Sequence, residues 1–154
     1  MERNGGKMEN LSKYVEKDKF GATRHYNKEG LLHRTDGPAV EYANGSTSWF
    51  LNGKRHRIDG PAIEEINGTK EWWVDGKLDR TDGPAIECLD GTKYWFKNNK
   101  FHREDGPAIE TANGSKSWYV NGKLHRIDGP AVERENGVFA WYIDGNWLRT
   151  ETPK

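Results

Sequence analysis

Glu41, Glu64, Glu87, Glu110 and Glu133 recur at a step of 23 residues, and this column of carboxylates is the first feature that could do chemistry. Two carboxylates share acid–base work when they lie roughly 5–9 Å apart. Here each copy of the repeat supplies one Glu, and two strands per copy advance by ~10 Å. The five cannot converge, so they are expected either to pair with Arg34, Arg57, Arg80, Arg103 and Arg126 or a nearby Lys, or to form an acidic rail for a basic partner. His33, His56, His102 and His125 each stand three residues ahead of an aspartate, and His and Asp can ligate a metal. No copy offers several ligands at a tight spacing, and Asp79 replaces the His of the third copy. Hydrogen bonding within loops is therefore the expected role, with no metal, cofactor or catalytic residue. Asp36 and its equivalents are expected to cap the turn before Gly-Pro through backbone N–H groups two residues on. The glycines lack the spacing of a phosphate-cradling loop.

A second column, Phe50, Trp73, Phe96, Tyr119 and Tyr142, is the expected binding surface. Aromatic residues are enriched at the energetic centres of protein interfaces. They also stack on bases, but a neighbouring Glu column would repel phosphate. The alternative is that these rings stack on one another and stiffen the sheet. Phe20, Tyr26 and Trp147 are placed to cover the ends.

The elements that position these columns follow from an internal repeat. Asp-Gly-Pro begins at Asp36, Asp59, Asp82, Asp105 and Asp128, and Trp49, Trp72, Trp95, Trp118 and Trp141 keep the same step. Full copies span residues 33–55, 56–78, 79–101, 102–124 and 125–147. A half copy at 20–32 places Tyr26 at the Trp position and Gly30 at the turn glycine, and 148–154 is a degenerate end. Atypical ends are what an array needs where it meets water. Residues 1–19 lie outside the period as an N-terminal extension, with Glu9 to Lys19 either a short helix or disordered.

Within a copy, Asn44-Gly45 and its equivalents separate two strand-like runs, and Asn-Gly suits a two-residue type I′ turn. That turn predicts Glu41 opposite Ser48, Val40 opposite Trp49 and Ala39 opposite Phe50. Alternation then gives one apolar face with Pro38, Val40, Trp49 and Leu51, and another with Ala39, Glu41, Ser48 and Phe50. A second turn lies at Asn52-Gly53, and the return through K-x-H-R-x-D-G reads as a loop, with a short strand through Lys54 to Arg57 as the alternative. The fold expected is all-β: tandem hairpins in an elongated, twisted, single-layer antiparallel sheet whose Trp–Val–Leu face is the inner side.

The 23-residue step, the aromatic-x-N/D-G-K turn, the following His and the N/D-G turn together resemble MORN repeats over roughly residues 20–150. In place of the usual glycines after the His, this chain has Arg-x-Asp-Gly-Pro-Ala, a variant associated with phage, giant-virus and bacterial proteins. The resemblance implies a twisted hairpin array used for scaffolding or protein contacts, and in some members for lipid contacts.

Composition sets further bounds. Charge is balanced, with 24 Lys+Arg against 24 Asp+Glu, which removes the usual reason to expect nucleic-acid binding. Mean hydropathy is −1.03, yet seven Trp, six Tyr and five Phe supply large buried areas from few residues. Cys88 is alone, so a reducing compartment is expected, and no apolar run suggests a membrane span. A site of chemistry needs different groups converging on one point, whereas an array repeats the same groups at separate points. The expectation is a non-enzymatic, cytoplasmic protein-interaction module that inhibits or scaffolds another protein, with homodimerisation through an apolar face. The alternative is a binder of a small ligand, nucleotide or lipid held against the aromatic columns.

Overall fold

The computed structural model describes residues 14–154. In the first full copy Val40–Glu41 pairs with Thr47–Ser48, and Phe50–Leu51 pairs with Lys54–Arg55. Both turns contain Asn-Gly, yet they are different turns. At the second, Asn52 and Gly53 both have positive φ (48° and 78°) and Leu51 faces Lys54, the two-residue type I′ geometry. At the first, Gly45 alone is left-handed (φ 91°), and Tyr42 N–H donates to the Ser46 carbonyl at 2.9 Å. That is a three-residue loop closed by a glycine bulge. The Asn44 carboxamide accepts the Ser46 N–H at 2.9 Å, a bond repeated by Asn67, Asp90, Asn113 and Asn136.

The extra loop residue corrects the expected register. Val40 faces Ser48 and Glu41 faces Thr47. A slip of one residue sends a strand's side chains to the opposite face. The predicted Val/Ile–Trp pairs are therefore absent, and Ser48, Glu71, Tyr94, Ser117 and Ala140 stand opposite Val40, Ile63, Ile86, Ile109 and Val132.

Hairpins join edge to edge into an open antiparallel sheet of 13 strands whose order follows the chain. Beyond it the return segment, expected as a loop, begins as a strand at Lys54–Arg55 and loops out only afterwards. Trp49 marks the seam. Its carbonyl accepts the His56 N–H at 3.2 Å, and its own N–H donates to the Ala62 carbonyl at 2.7 Å. Residues 57–61 thus form a large bulge in a strand that otherwise continues. Neighbouring ribbons are bonded past the seam too, as Arg57 N–H to Trp73 carbonyl (3.0 Å) and Gly76 N–H to Arg55 carbonyl (2.9 Å). The core is a thin line along this seam: Ala39, Ala62, Ala85, Ala108 and Ala131 are 0% exposed.

The ends depart from the expectations. Val15–Lys17, within the segment 9–19 expected as a short helix or disordered, is a strand paired with Thr23–His25; residues 9–13 lie outside the described residues. His25, not Tyr26, occupies the Trp position: its N–H donates to the Ala39 carbonyl (2.8 Å) and its carbonyl accepts the His33 N–H (2.9 Å). A three-residue loop closed by Asn27 N–H to the Leu31 carbonyl replaces the type I′ turn there and accounts for the one-residue offset. At the other end Phe139–Ile143 crosses the seam unbroken and pairs with Asn146–Glu151, with a bulge between Trp141 and Tyr142.

Candidate binding face

The invariant part of the repeat is explained by one side chain. The Arg57 guanidinium carbon lies 4.1 Å from the Trp49 ring centroid, the ring belonging to the preceding copy. Its Nε donates to Asp59 Oδ1 at 2.9 Å, and Nη1 donates to the Pro61 carbonyl at 3.1 Å and to Glu64 Oε1 at 3.2 Å. Gly60 is required for space: a Cβ there would come within 2.9 Å of the guanidinium carbon. The same cage surrounds Arg80, Arg103 and Arg126, stacked at 3.8, 4.1 and 4.0 Å on Trp72, Trp95 and Trp118. Arg34 meets His25 instead (3.2 Å), and Arg149 caps Trp141 at 4.1 Å. Planar, forked and always charged, Arg can stack and bind carboxylates at once, which Lys cannot.

All five Glu of the first column are thereby occupied, at 2.7–3.2 Å from an Arg Nη1. Lys70, Lys93 and Lys116 stand between successive Glu residues in the ladder, giving alternating charge. Asp36, Asp59, Asp82, Asp105 and Asp128 bind the Arg two residues before them, where a turn cap was expected. That hydrogen bond, with the Arg charge behind it, holds the carboxyls of Asp36, Asp59, Asp82 and Asp105 below the ordinary value.

Four of the histidines are turn locks. His56 Nδ1 accepts the Asp75 N–H of the next type I′ turn at 3.2 Å, and His33, His102 and His125 do the same for Asn52, Asn121 and Asp144. Asp79, the exception in sequence, fills the same place by accepting the Asn98 N–H at 2.9 Å. Among the described residues no group of three or more His, Cys, Asp or Glu is placed to hold a metal ion. Burial, followed by Asp90, Glu71 and Glu65, pushes the Cys88 thiol up, which leaves it a poor nucleophile.

The two candidate columns lie on opposite faces, because of the register slip. Glu41, Glu64, Glu87, Glu110 and Glu133 share a face with the Trp–Arg seam. Phe50, Trp73, Phe96, Tyr119 and Tyr142 lie on the other, with Val40 and Ile63. Ring contacts establish this: Phe101 lies 4.2 Å from Phe96, 5.2 Å from Tyr119 and 6.1 Å from Tyr94, centroid to centroid. Trp73 Nε1 donates to Glu71 Oε2 at 2.7 Å, again on that side. Cross-strand partners Arg55, Leu78, Phe101, Leu124 and Trp147 extend the column, and Arg55 lies 5.1 Å from the Trp73 ring. From Tyr94 to Trp147 this face carries no charged side chain at the registered positions. Burial raises the phenols of Tyr94 and Tyr119, so both stay neutral donors.

Sequence reasoning overlooked the arginine as the hub and the interleaved column at Arg55, Leu78, Phe101, Leu124 and Trp147. The first had a signal, since Arg and Trp share one period. The second needs the strand at Lys54–Arg55 and its register. Among the described residues no helix is long and apolar enough to cross a membrane. No protein-family model matches the chain, and no curated protein matches it.

Proposed function

We propose that this chain is a MORN-like hairpin array acting as a non-enzymatic protein-interaction module, which recognises another protein on its aromatic face. The observation that carries this reading is where the copies differ. Arg, Asp, Gly, Pro, Ala, Glu and Trp of the seam are the same in all five full copies, and each has a structural duty. On the aromatic face the copies diverge, as Ser48, Glu71, Tyr94, Ser117 and Ala140, and as Arg55, Leu78, Phe101, Leu124 and Trp147. A graded, mostly uncharged strip around Phe50, Trp73, Phe96, Tyr119 and Tyr142 suits a protein surface, whose energetic centre is aromatic and water-excluding. A small ligand stacked on the Trp column is the weaker reading, because an Arg covers one side of each of five indoles. The Glu column is likewise neutralised and is not part of the proposed surface.

The test is affinity capture from a bacterial lysate with wild type, a Trp73→Ser/Tyr119→Ser variant, and an Ile58→Ser/Ile127→Ser control. The control alters loop tips that are 84% and 85% exposed on the charged face. A partner held by wild type and control but lost by the folded aromatic variant is the expected result. Equal capture by all three, or none by wild type, refutes the proposal.

A further inference from the structure

The strand Asn146–Glu151 ends the sheet, and its outer edge is unpaired among the described residues. In earlier copies the strand at this place is broken by the D-G-P bulge, as between Lys123–Leu124 and Val132–Glu133. The last copy lacks the bulge. Arg149 stands directly opposite Trp141, and the strand runs across the seam with all six residues exposed. A long edge with free N–H and C=O groups is a template for another strand.

Alternation shows which groups face out. Arg134 N–H donates to the Val138 carbonyl at 2.9 Å, so Val138 turns its polar groups to the preceding strand and Phe139 turns its own to the following one. Phe139 faces Glu151 and Trp141 faces Arg149. Glu151 and Arg149 therefore bond inward, and Thr150 bonds outward. Pro153, which has no N–H to give, shares the inward parity and leaves the outer edge intact.

We infer that the chain forms a two-fold homodimer by antiparallel pairing of the edge segment Arg149–Glu151 with its own copy, the axis passing through Thr150. The segment Arg149-Thr150-Glu151 is self-complementary in that register. Thr150 meets Thr150, and each Arg149 meets Glu151 of the other copy, which makes two symmetric cross-strand ion pairs. Centring on Arg149 instead would oppose like charges and bring inward-bonded groups to the interface. No D-G-P bulge projects from this strand to obstruct a neighbour. Both sheet faces stay uncovered, so this inference stands or falls apart from the aromatic-face reading.

Sedimentation over a wide concentration range tests it, with far-ultraviolet circular dichroism to check folding. Wild type is expected to dimerise. Thr150→Pro removes the outward N–H while sparing the bonds to Phe139–Ile143, and is expected to be monomeric. Glu151→Arg places positive charges opposite each other and should raise the dissociation constant roughly tenfold or more. Mixing Glu151→Arg with Arg149→Glu should restore association between unlike chains. A strictly monomeric wild type, a dimer indifferent to both substitutions, or assemblies growing beyond two copies, which would mean pairing with the Val15–Lys17 edge, would each overturn it.

Discussion

Replacing Arg103 in the middle of the seam should cost more than any surface substitution in this chain. Its side chain is 22% exposed, so the stack on Trp95 is largely shielded and contributes about 1 kcal/mol, between the exposed and desolvated limits. The bond from Nη1 to the Pro107 carbonyl (3.2 Å) adds about 1 kcal/mol, and loss of it strands a backbone acceptor. The pair with Glu110 (2.9 Å, carboxylate 35% exposed) is partly screened and adds about 0.5 kcal/mol. The bond to Asp105 is solvent-facing and counts for little. Arg103→Ala should thus cost about 2–3 kcal/mol, or a fall in Tm of roughly 4–12 °C for a chain of this size. Arg103→Lys should recover less than half, since Lys supplies neither fork nor planar stack. Asp105→Asn should be close to wild type. Urea unfolding followed by Trp emission measures all three. If Arg103→Ala lies within about 0.5 kcal/mol of wild type, or Lys substitutes fully, the Arg is a surface charge and the account of the seam is wrong.

Gly60→Ala puts a methyl group 2.9 Å from the Arg57 guanidinium carbon and should cost about 1–3 kcal/mol, read by thermal melting; a neutral result would mean that Gly60 serves the backbone alone. Asp79→His should be near neutral because either side chain accepts the Asn98 N–H, while Asp79→Ala should cost about 1 kcal/mol; equal effects of the two would remove the turn-lock role. Acid should destabilise the array in two windows, measured as urea midpoint against pH. Burial, then Arg34, holds His25 below its ordinary value of 6.5, so unfolding takes up a proton and stability declines as pH falls below 6.5. Asp36, Asp59, Asp82 and Asp105 are held below 3.8 but face solvent, so the small, screened stability they contribute is complete above 3.8 and is lost as pH falls through their lower folded values. A midpoint flat from neutral pH to below 3.8 would contradict both.

Periodicity made the array, its all-β class and its turn positions legible without a structure. The register was not legible, and the reason is local. Asn-Gly satisfies both a type I′ turn, where Asn52 itself is left-handed, and a glycine-bulge loop, where Asn44 instead accepts the Ser46 N–H. The dipeptide is the same and the loop length differs by one residue. That single residue decides which face receives Glu41 and which receives Phe50, so a site composed of both columns could not survive it. The half copy failed in the same way, because an extra loop residue moved His25 into the place assigned to Tyr26. Asp79 stood out only as a replacement for the His of the third copy, because its equivalence to His lies in one accepted hydrogen bond, which residue type does not reveal.

The unit of this fold is better defined by its interface than by its 23 residues. Trp49, Trp72, Trp95 and Trp118 are each completed by the Arg of the next copy, and their N–H groups by the next copy's Ala carbonyl, so none of these four copies closes its own seam. Stability in such an array is a sum of nearest-neighbour terms, and the residues that supply them are fixed at every step. Freedom to vary is left to positions that neither stack on the seam nor close a turn. Among those are the aromatic-face positions, where Ser48 gives way to Glu71 and Tyr94. At the C-terminal end Arg149 caps Trp141 from a straight strand and Glu151 takes over from the missing Asp, at 3.4 Å. Losing the bulge there keeps the Arg–Trp stack and converts a broken strand into one that crosses the seam. The seam motif is thus taken up by the fold, and the recognition proposed for the aromatic face falls on positions that the seam leaves free to vary.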